Sequence, residues 1–406
     1  MSTPPPTAPH EHPDAPPVEN LRIRFYGVQG SGSTFPARTD REALLEVLDL
    51  RLLRSVFDDL ARYADAEGRL SCTLEEVLGG RPDRETLLRY RRAHRTVPAR
   101  SYGGWTTTVH VETGDGHDLV FDCGSGFRPC ALALQRKWGE RAARHLHLFG
   151  SHSHSDHTEG FDQAAVCFDP RNTLHVYGNA HFLRALDSYL GIFSRHVDDD
   201  VRGLKTPIFY GIMPAHFEGI EIRDGGASGA SAPGRYGRVH DLAAPIEIGA
   251  TRVLPFEVYH PAPCLAYRVE RGGKAFVFCT DHELRRGSDP DAPAQRASDA
   301  AEARLRAHAH GADVLYRDGQ YLRAEYEGAK GIGASTAVPR LGWGHSCIED
   351  VEAMAVACEI AHTYIGHHDP NRDWSERNWI DEALARNNRS RPAQVELAQA
   401  ETVITL

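Results

Sequence analysis

The chain has 406 residues with 41% hydrophobic and 25% charged side chains, ordinary globular usage that excludes a mostly disordered protein. A formal charge of −10 makes nucleic acid a poor partner, although a local basic patch is compatible with it. No apolar run approaches the roughly 18 residues needed to span a bilayer, and eight cysteines without a CxxC pair favour reduced thiols and a cytoplasmic address.

Residues 1–20 are a proline-rich tail without the basic and apolar regions of a secretory signal, and they are expected to be mobile. Order is expected from Leu21, where LRIRFYGVQGSGS reads as a strand running into a tight turn. Residues 40–97 read as a helical insertion. Its first helix spaces Leu44, Leu48, Leu52, Val56 and Leu60 four apart; TLEEVL and RETLLRYRRA follow, the last with Asp83 as N-cap. Leu45, Leu53 and Phe57 widen the first helix's apolar stripe, so the insertion is expected to act as a lid or as the contact of a homodimer. Its one histidine, His94, lies outside any motif.

TTTVHVETG and HDLVFDCGSG then form a hairpin pattern. Next come a charged helix (LALQRKWGERAA), the strands HLHLFG and TLHVYG, and a helix from about Ala180. Residues 224–236 read as a flexible low-complexity loop. Beyond it lie strands at about 246–259, LAYRVERGG and KAFVFCTD, a helix at 298–310, the strand VLYRD, a helix at 349–361 and the strand HTYIG. This order predicts one layered α/β domain over 21–406 with helices covering both sheet faces.

Histidine is the unusual residue, with 23 copies, and three of them stand together in His152-Ser-His154-Ser-Asp156-His157. Imidazoles and a carboxylate just after an apolar strand are the ligand set of borderline divalent metals. One loop cannot close such a site. His260, Asp281 and His367 are each the first polar residue after a later apolar strand, where strand ends gather side chains into one crevice.

The succession FYGVQGSGS, GGWTTTVHVE, LVFDCGSG, SHSHSDHTEGF, YHPAPCLAYRV, FVFCTDHE, GWGHS and YIGHHDP resembles the metallo-β-lactamase superfamily, within it the ribonuclease Z-like and cyclic-phosphodiesterase branch. The resemblance runs from about residue 21 to the C-terminus, leaving out 40–97. It implies a four-layer αβ/βα sandwich and two divalent ions, zinc favoured, with manganese or iron as alternatives. His152, His154 and His260 would then bind one ion, Asp156, His157 and His367 the other, and Asp281 both. It also implies that Asp156 accepts a proton from water, that His345 in GWGHS protonates the leaving group, and that Asp318 orients His345. His145, His282 and His368 receive no role in the chemistry.

The implied activity is hydrolysis of a small phosphodiester such as a cyclic nucleotide, with a small-molecule substrate and no membrane. The alternatives are a hydrolase of carboxylic esters, lactones or thioesters on the same site, and a non-hydrolytic binding or redox protein of the same fold. Trp105 stands where the branch usually has asparagine, and nothing resembles the tRNA-clamping arm of ribonuclease Z. The missing arm and the acidic charge balance argue against tRNA processing.

Overall fold

The computed structural model describes residues 18–34, 38–93, 102–225 and 232–406. The proline-rich tail up to residue 17, His94 and residues 226–231 of the predicted loop lie outside the described residues.

Two sheets face each other. The first contains β1 (Leu21–Gly27), β2 (Thr108–Thr113), β3 (Asp118–Phe121), β4 (Arg144–Phe149), β5 (Asn172–Gly178), β6 (His216–Arg223), β7 (Ala232–Gly234) and β8 (Gly237–Asp241). The second contains β9 (Ile246–Ile248), β10 (Thr251–Val258), β11 (Cys264–Arg271), β12 (Lys274–Cys279), β13 (Val314–Asp318), β14 (His362–Gly366) and β15 (Gln394–Leu397). A last strand, β16 (Val403–Thr405), returns to the first sheet beside β1. The strand orders are β16-β1-β2-β3-β4-β5-β6-β8-β7 and β15-β14-β13-β12-β11-β10-β9.

Alternation along the strands explains the layers. In β4, Leu146 and Leu148 face outward onto helices α4 (Phe127–Trp138) and α5 (Ala180–Leu190), while Phe149 joins the core between the sheets. That inner core is aromatic: Phe25, Phe121, Phe149, Tyr267, Phe276, Phe278 and Tyr316 interdigitate, with Phe121 and Phe149 stacked at 5.2 Å. Outside the second sheet, α6 (Pro293–Ala309), α8 (Ile348–Ala357) and α9 (Trp374–Asn388) supply Leu305, Met354, Ile380 and Leu384 to two further clusters. The result is the αβ/βα sandwich expected from the sequence.

The insertion forms α1 (Arg38–Ala61), α2 (Leu74–Leu78) and α3 (Arg84–Ala93), and a short helix, α7 (Arg323–Tyr326), follows β13. Asp83 accepts from the Thr86 N–H at 2.8 Å, as an N-cap does. α1 packs against α9, with Arg51 and Glu382 3.6 Å apart, and Leu44, Leu48, Leu52, Val56 and Leu60 are half-buried. Leu45, Leu53 and Phe57 remain exposed. The stripe is therefore covered along one edge only.

The loop predicted over 224–236 is shorter than expected, because Ala232–Gly234 pair with β8 as an edge hairpin. Strands β6, β8, β15 and β16 and helix α9 add to the elements expected from the sequence. Among the described residues no helix is long and apolar enough to cross a membrane, and all eight cysteines are free thiols.

Candidate metal centre

Strands β12, β13 and β14 run parallel, and β10 runs in the same direction as β12 because β11 is antiparallel to both. Their C-terminal ends share one edge of the sandwich, facing the loop after β4 from the other sheet. Two backbone ties close this edge: Leu265 N–H donates to Ser151 O at 2.9 Å, and Gly30 N–H donates to His368 O at 2.9 Å. Polar residues ending these strands are therefore forced together.

Each of the seven candidate ligands reaches this edge. His152, His154, His260 and Asp281 form one group whose donor atoms lie within 4.8 Å of one another, and Asp156, His157 and His367 form a second. His260 Nε2 is 3.3 Å from His154 Nδ1, and His157 Nε2 is 3.4 Å from His367 Nε2. Ligands at roughly 2.0–2.1 Å in a tetrahedron stand about 3.3 Å apart, so these separations fit divalent cations. Asp281 lies between the groups. Its Oδ1 is 3.2 Å from His157 Nε2 and 3.1 Å from His367 Nε2, while its Oδ2 is 3.4 Å from His152 Nε2 and 3.9 Å from His260 Nε2. Among the described residues the buried His152 Nε2 has no hydrogen-bond partner, which leaves its lone pair for a cation.

On His157, His260 and His152 the opposite ring nitrogen is engaged. His157 Nδ1 donates to Asp122 Oδ2 at 2.7 Å, and His260 Nδ1 donates to Gly344 O at 3.1 Å. His152 Nδ1 lies 3.0 Å from Ser151 Oγ, which itself donates to Asp122 at 2.7 Å. These bonds fix the tautomers that present Nε2 to the centre. Asp122 appears in the sequence in LVFDCGSG, but its role became visible only in three dimensions. The same holds for Ser31, whose N–H donates to Asp156 Oδ2 at 2.7 Å.

Electrostatics follow from the packing. Burial pushes the Asp281 carboxyl up, yet the imidazoles of His367, His157 and His152 hold it well below the usual carboxylate range. Asp156 likewise titrates low against burial because of His157 and His367. Burial, joined by the neighbouring His157, His260 and His154, drives His152 well down against Asp281, toward the neutral form that binds metal.

His345 lies beside the centre, its ring 4.7 Å from that of His367 and nearly parallel to it. Its Nδ1 donates to Asp318 Oδ2 at 3.0 Å. Burial opposes its charge, but Asp318 and then Asp281 raise its pKa to about 9. Asp318 also accepts from the backbone N–H groups of Gln320 and His282, which fix the carboxylate. Of the histidines without a predicted role, His282 donates to Glu302 at 3.1 Å, His368 donates to Ala398 O at 2.8 Å, and His145 lies 3.1 Å from His175 on the sheet.

The model of the family described as Beta-lactamase superfamily domain matches residues 117–368. Among solved structures, a diphosphatase from the PhnP family is 16% identical, with 95% of this chain and 98% of that chain covered and a TM-score of 0.47. Human tRNase Z, short form, is 14% identical over 95% and 98%, with a TM-score of 0.46. Zinc-bound PqqB from Methylobacterium extorquens is 13% identical over 95% and 100%, with a TM-score of 0.49. No curated protein matches the sequence. With the family match spanning more than half of its length, the chain belongs to the beta-lactamase superfamily and carries the αβ/βα sandwich of its metal-dependent hydrolases.

Proposed function

We propose that the chain is a phosphodiesterase of the ribonuclease Z-like and cyclic-phosphodiesterase branch, acting on a small phosphodiester such as a cyclic nucleotide. His152, His154, His260 and Asp281 would hold one divalent cation, and Asp156, His157, His367 and Asp281 a second. Zinc suits this donor set, as do manganese and iron. Bound there, such a pair supplies Lewis-acid chemistry: it lowers the pKa of a water and neutralises charge on the phosphoryl oxygens.

The chain's own groups carry the protons. The Asp156 carboxylate accepts the proton of the attacking water. His345, anchored through Nδ1 to Asp318, presents Nε2 to the leaving oxygen and protonates it. A metal-ligand role for His345 is less favourable, because the ring nitrogen nearest Asp281, at 3.9 Å, is the one already bonded to Asp318. The insertion, 40–97, is assigned a lid or subunit-contact role in a catalytic domain spanning 21–406.

The observation that carries the phosphodiester reading is the His345–Asp318 pair, bonded at 3.0 Å and lying beside the candidate metal centre. A poor alkoxide leaving group needs such an acid, worth roughly 100- to 10,000-fold in rate. The test is His345→Ala assayed on diesters with alkyl and p-nitrophenyl leaving groups. Metal content should stay intact, and turnover should fall by about 100-fold or more on the alkyl diester and far less on the p-nitrophenyl diester. Equal losses on both would remove His345 from the acid role.

A further inference from the structure

Trp343, two residues before His345, is 54% exposed although it stands on a loop pressed against the metal centre. That loop has little freedom. Gly342 and Gly344 hold φ values of +88° and +97°, conformations open to glycine and costly for other residues. Gly342 N–H donates to the buried Glu283 carboxylate at 2.7 Å, and Trp343 N–H donates to Arg340 O at 3.1 Å. A Cβ on Gly344 would fall 2.2 Å from His260 Nδ1, so the backbone next to the indole lies directly on a candidate ligand.

The indole is also supported from beneath. The Arg340 guanidinium carbon lies 5.7 Å from the Trp343 ring and 5.2 Å from the Tyr321 ring, and Arg340 is only 4% exposed. Tyr321 in turn meets His345 edge-on at 5.8 Å. Here a buried cation braces an indole whose surface faces solvent, beside the residue assigned to protonate the leaving group.

We propose that Trp343 is a specificity-determining residue: a shelf on which a planar heteroaromatic ring of the substrate stacks while its phosphoryl group occupies the metal centre. The inference rests on the phosphodiester reading and narrows it to ring-bearing, nucleoside-like diesters over purely alkyl ones. Stacking on an aromatic side chain tolerates any planar base, so the shelf selects for a ring rather than for one hydrogen-bonding pattern.

The test is binding rather than turnover. Adenosine 5′-monophosphate and ribose 5-phosphate, which differ by the base, are titrated into zinc-loaded protein by calorimetry, with tryptophan emission followed in parallel. The expected result is adenosine 5′-monophosphate bound at least about 5-fold tighter than ribose 5-phosphate, with quenching of emission. Trp343→Ala should abolish that preference without changing ribose 5-phosphate affinity, Trp343→Phe should keep most of it, and Trp379→Ala, at an exposed tryptophan on α9, should leave it unchanged. Equal affinities in the unaltered protein, a preference surviving Trp343→Ala, or no binding of either probe would overturn the shelf. Turnover of bis(p-nitrophenyl) phosphate on the same preparations separates the two ideas. Diester turnover with no base preference overturns the shelf alone. A Trp343-dependent preference in a protein that cleaves no diester supports the shelf and overturns the phosphodiester reading.

Discussion

Asp122 Oδ2 accepts the His157 Nδ1–H at 2.7 Å, and through Ser151 Oγ the same carboxylate also reaches His152. One buried side chain thus sets the tautomer in both ligand groups. It does so from a left-handed backbone, φ +58°, which costs a non-glycine residue about 1–3 kcal/mol. Asp122→Asn keeps the shape but replaces one accepting oxygen with a donor. Zinc affinity should fall about 10- to 100-fold in a chelator competition, the usual scale for an outer partner of a ligating histidine. Unchanged affinity would mean that the histidines are oriented by packing alone.

Asp281 is the one candidate ligand that faces both groups, Oδ1 toward His157 and His367, Oδ2 toward His152 and His260. Asp281→Ala should therefore lower occupancy at both positions, whereas His154→Ala should affect one. Elemental analysis of the dialysed variants reads this directly. Two ions retained by Asp281→Ala would contradict the shared-carboxylate arrangement.

Gly30 leaves room for His367 and nothing more. A Cβ built there falls 2.2 Å from His367 Nδ1. Gly30→Ala should push the ring out of the Asp156–His157 group, with loss of one ion per chain and at least a tenfold drop in turnover, a scale taken from the geometric sensitivity of catalytic sites. Thermal unfolding monitored alongside should remain a single cooperative transition. Full metal content in the variant would show that the loop carrying Gly30 yields instead.

The exposed face of α1 makes a separate prediction. Leu45, Leu53 and Phe57 are uncovered while the other edge of the helix rests on α9. Replacing residues 41–97 with a short glycine-serine linker should preserve metal binding and change either substrate affinity or the mass in solution by light scattering. A folded deletion variant with the original mass and kinetics would rule out both the lid and the subunit contact.

How much of this was legible beforehand depends on whether the signal is local. His152, His260, Asp281 and His367 each interrupt an apolar strand at its C-terminal end, so their convergence follows from sheet geometry that alternation reveals. Strand β6 was missed because its alternation (Phe217, Ile220, Ile222) is offset by glycine and lies next to a low-complexity stretch. Helix α9 was missed because a mostly polar face, WSERNWIDEALARNN, surrounds only Ile380 and Leu384 as buried apolar anchors. The pairing of β16 with β1 is a contact across almost the entire chain and leaves no local pattern. Asp122 carries no sign of its function in the sequence, since an aspartate before CGSG reads equally well as a turn residue.

The central claim is that the site cleaves phosphodiesters, and the most direct measurement is kcat/KM of the zinc-reconstituted protein on matched p-nitrophenol substrates: bis(p-nitrophenyl) phosphate and p-nitrophenyl acetate, with an acyl lactone and a thioester alongside. The account predicts turnover of the diester that requires metal and exceeds that of each carboxylic substrate. Metal-dependent turnover of the ester, lactone or thioester with the diester untouched would contradict it.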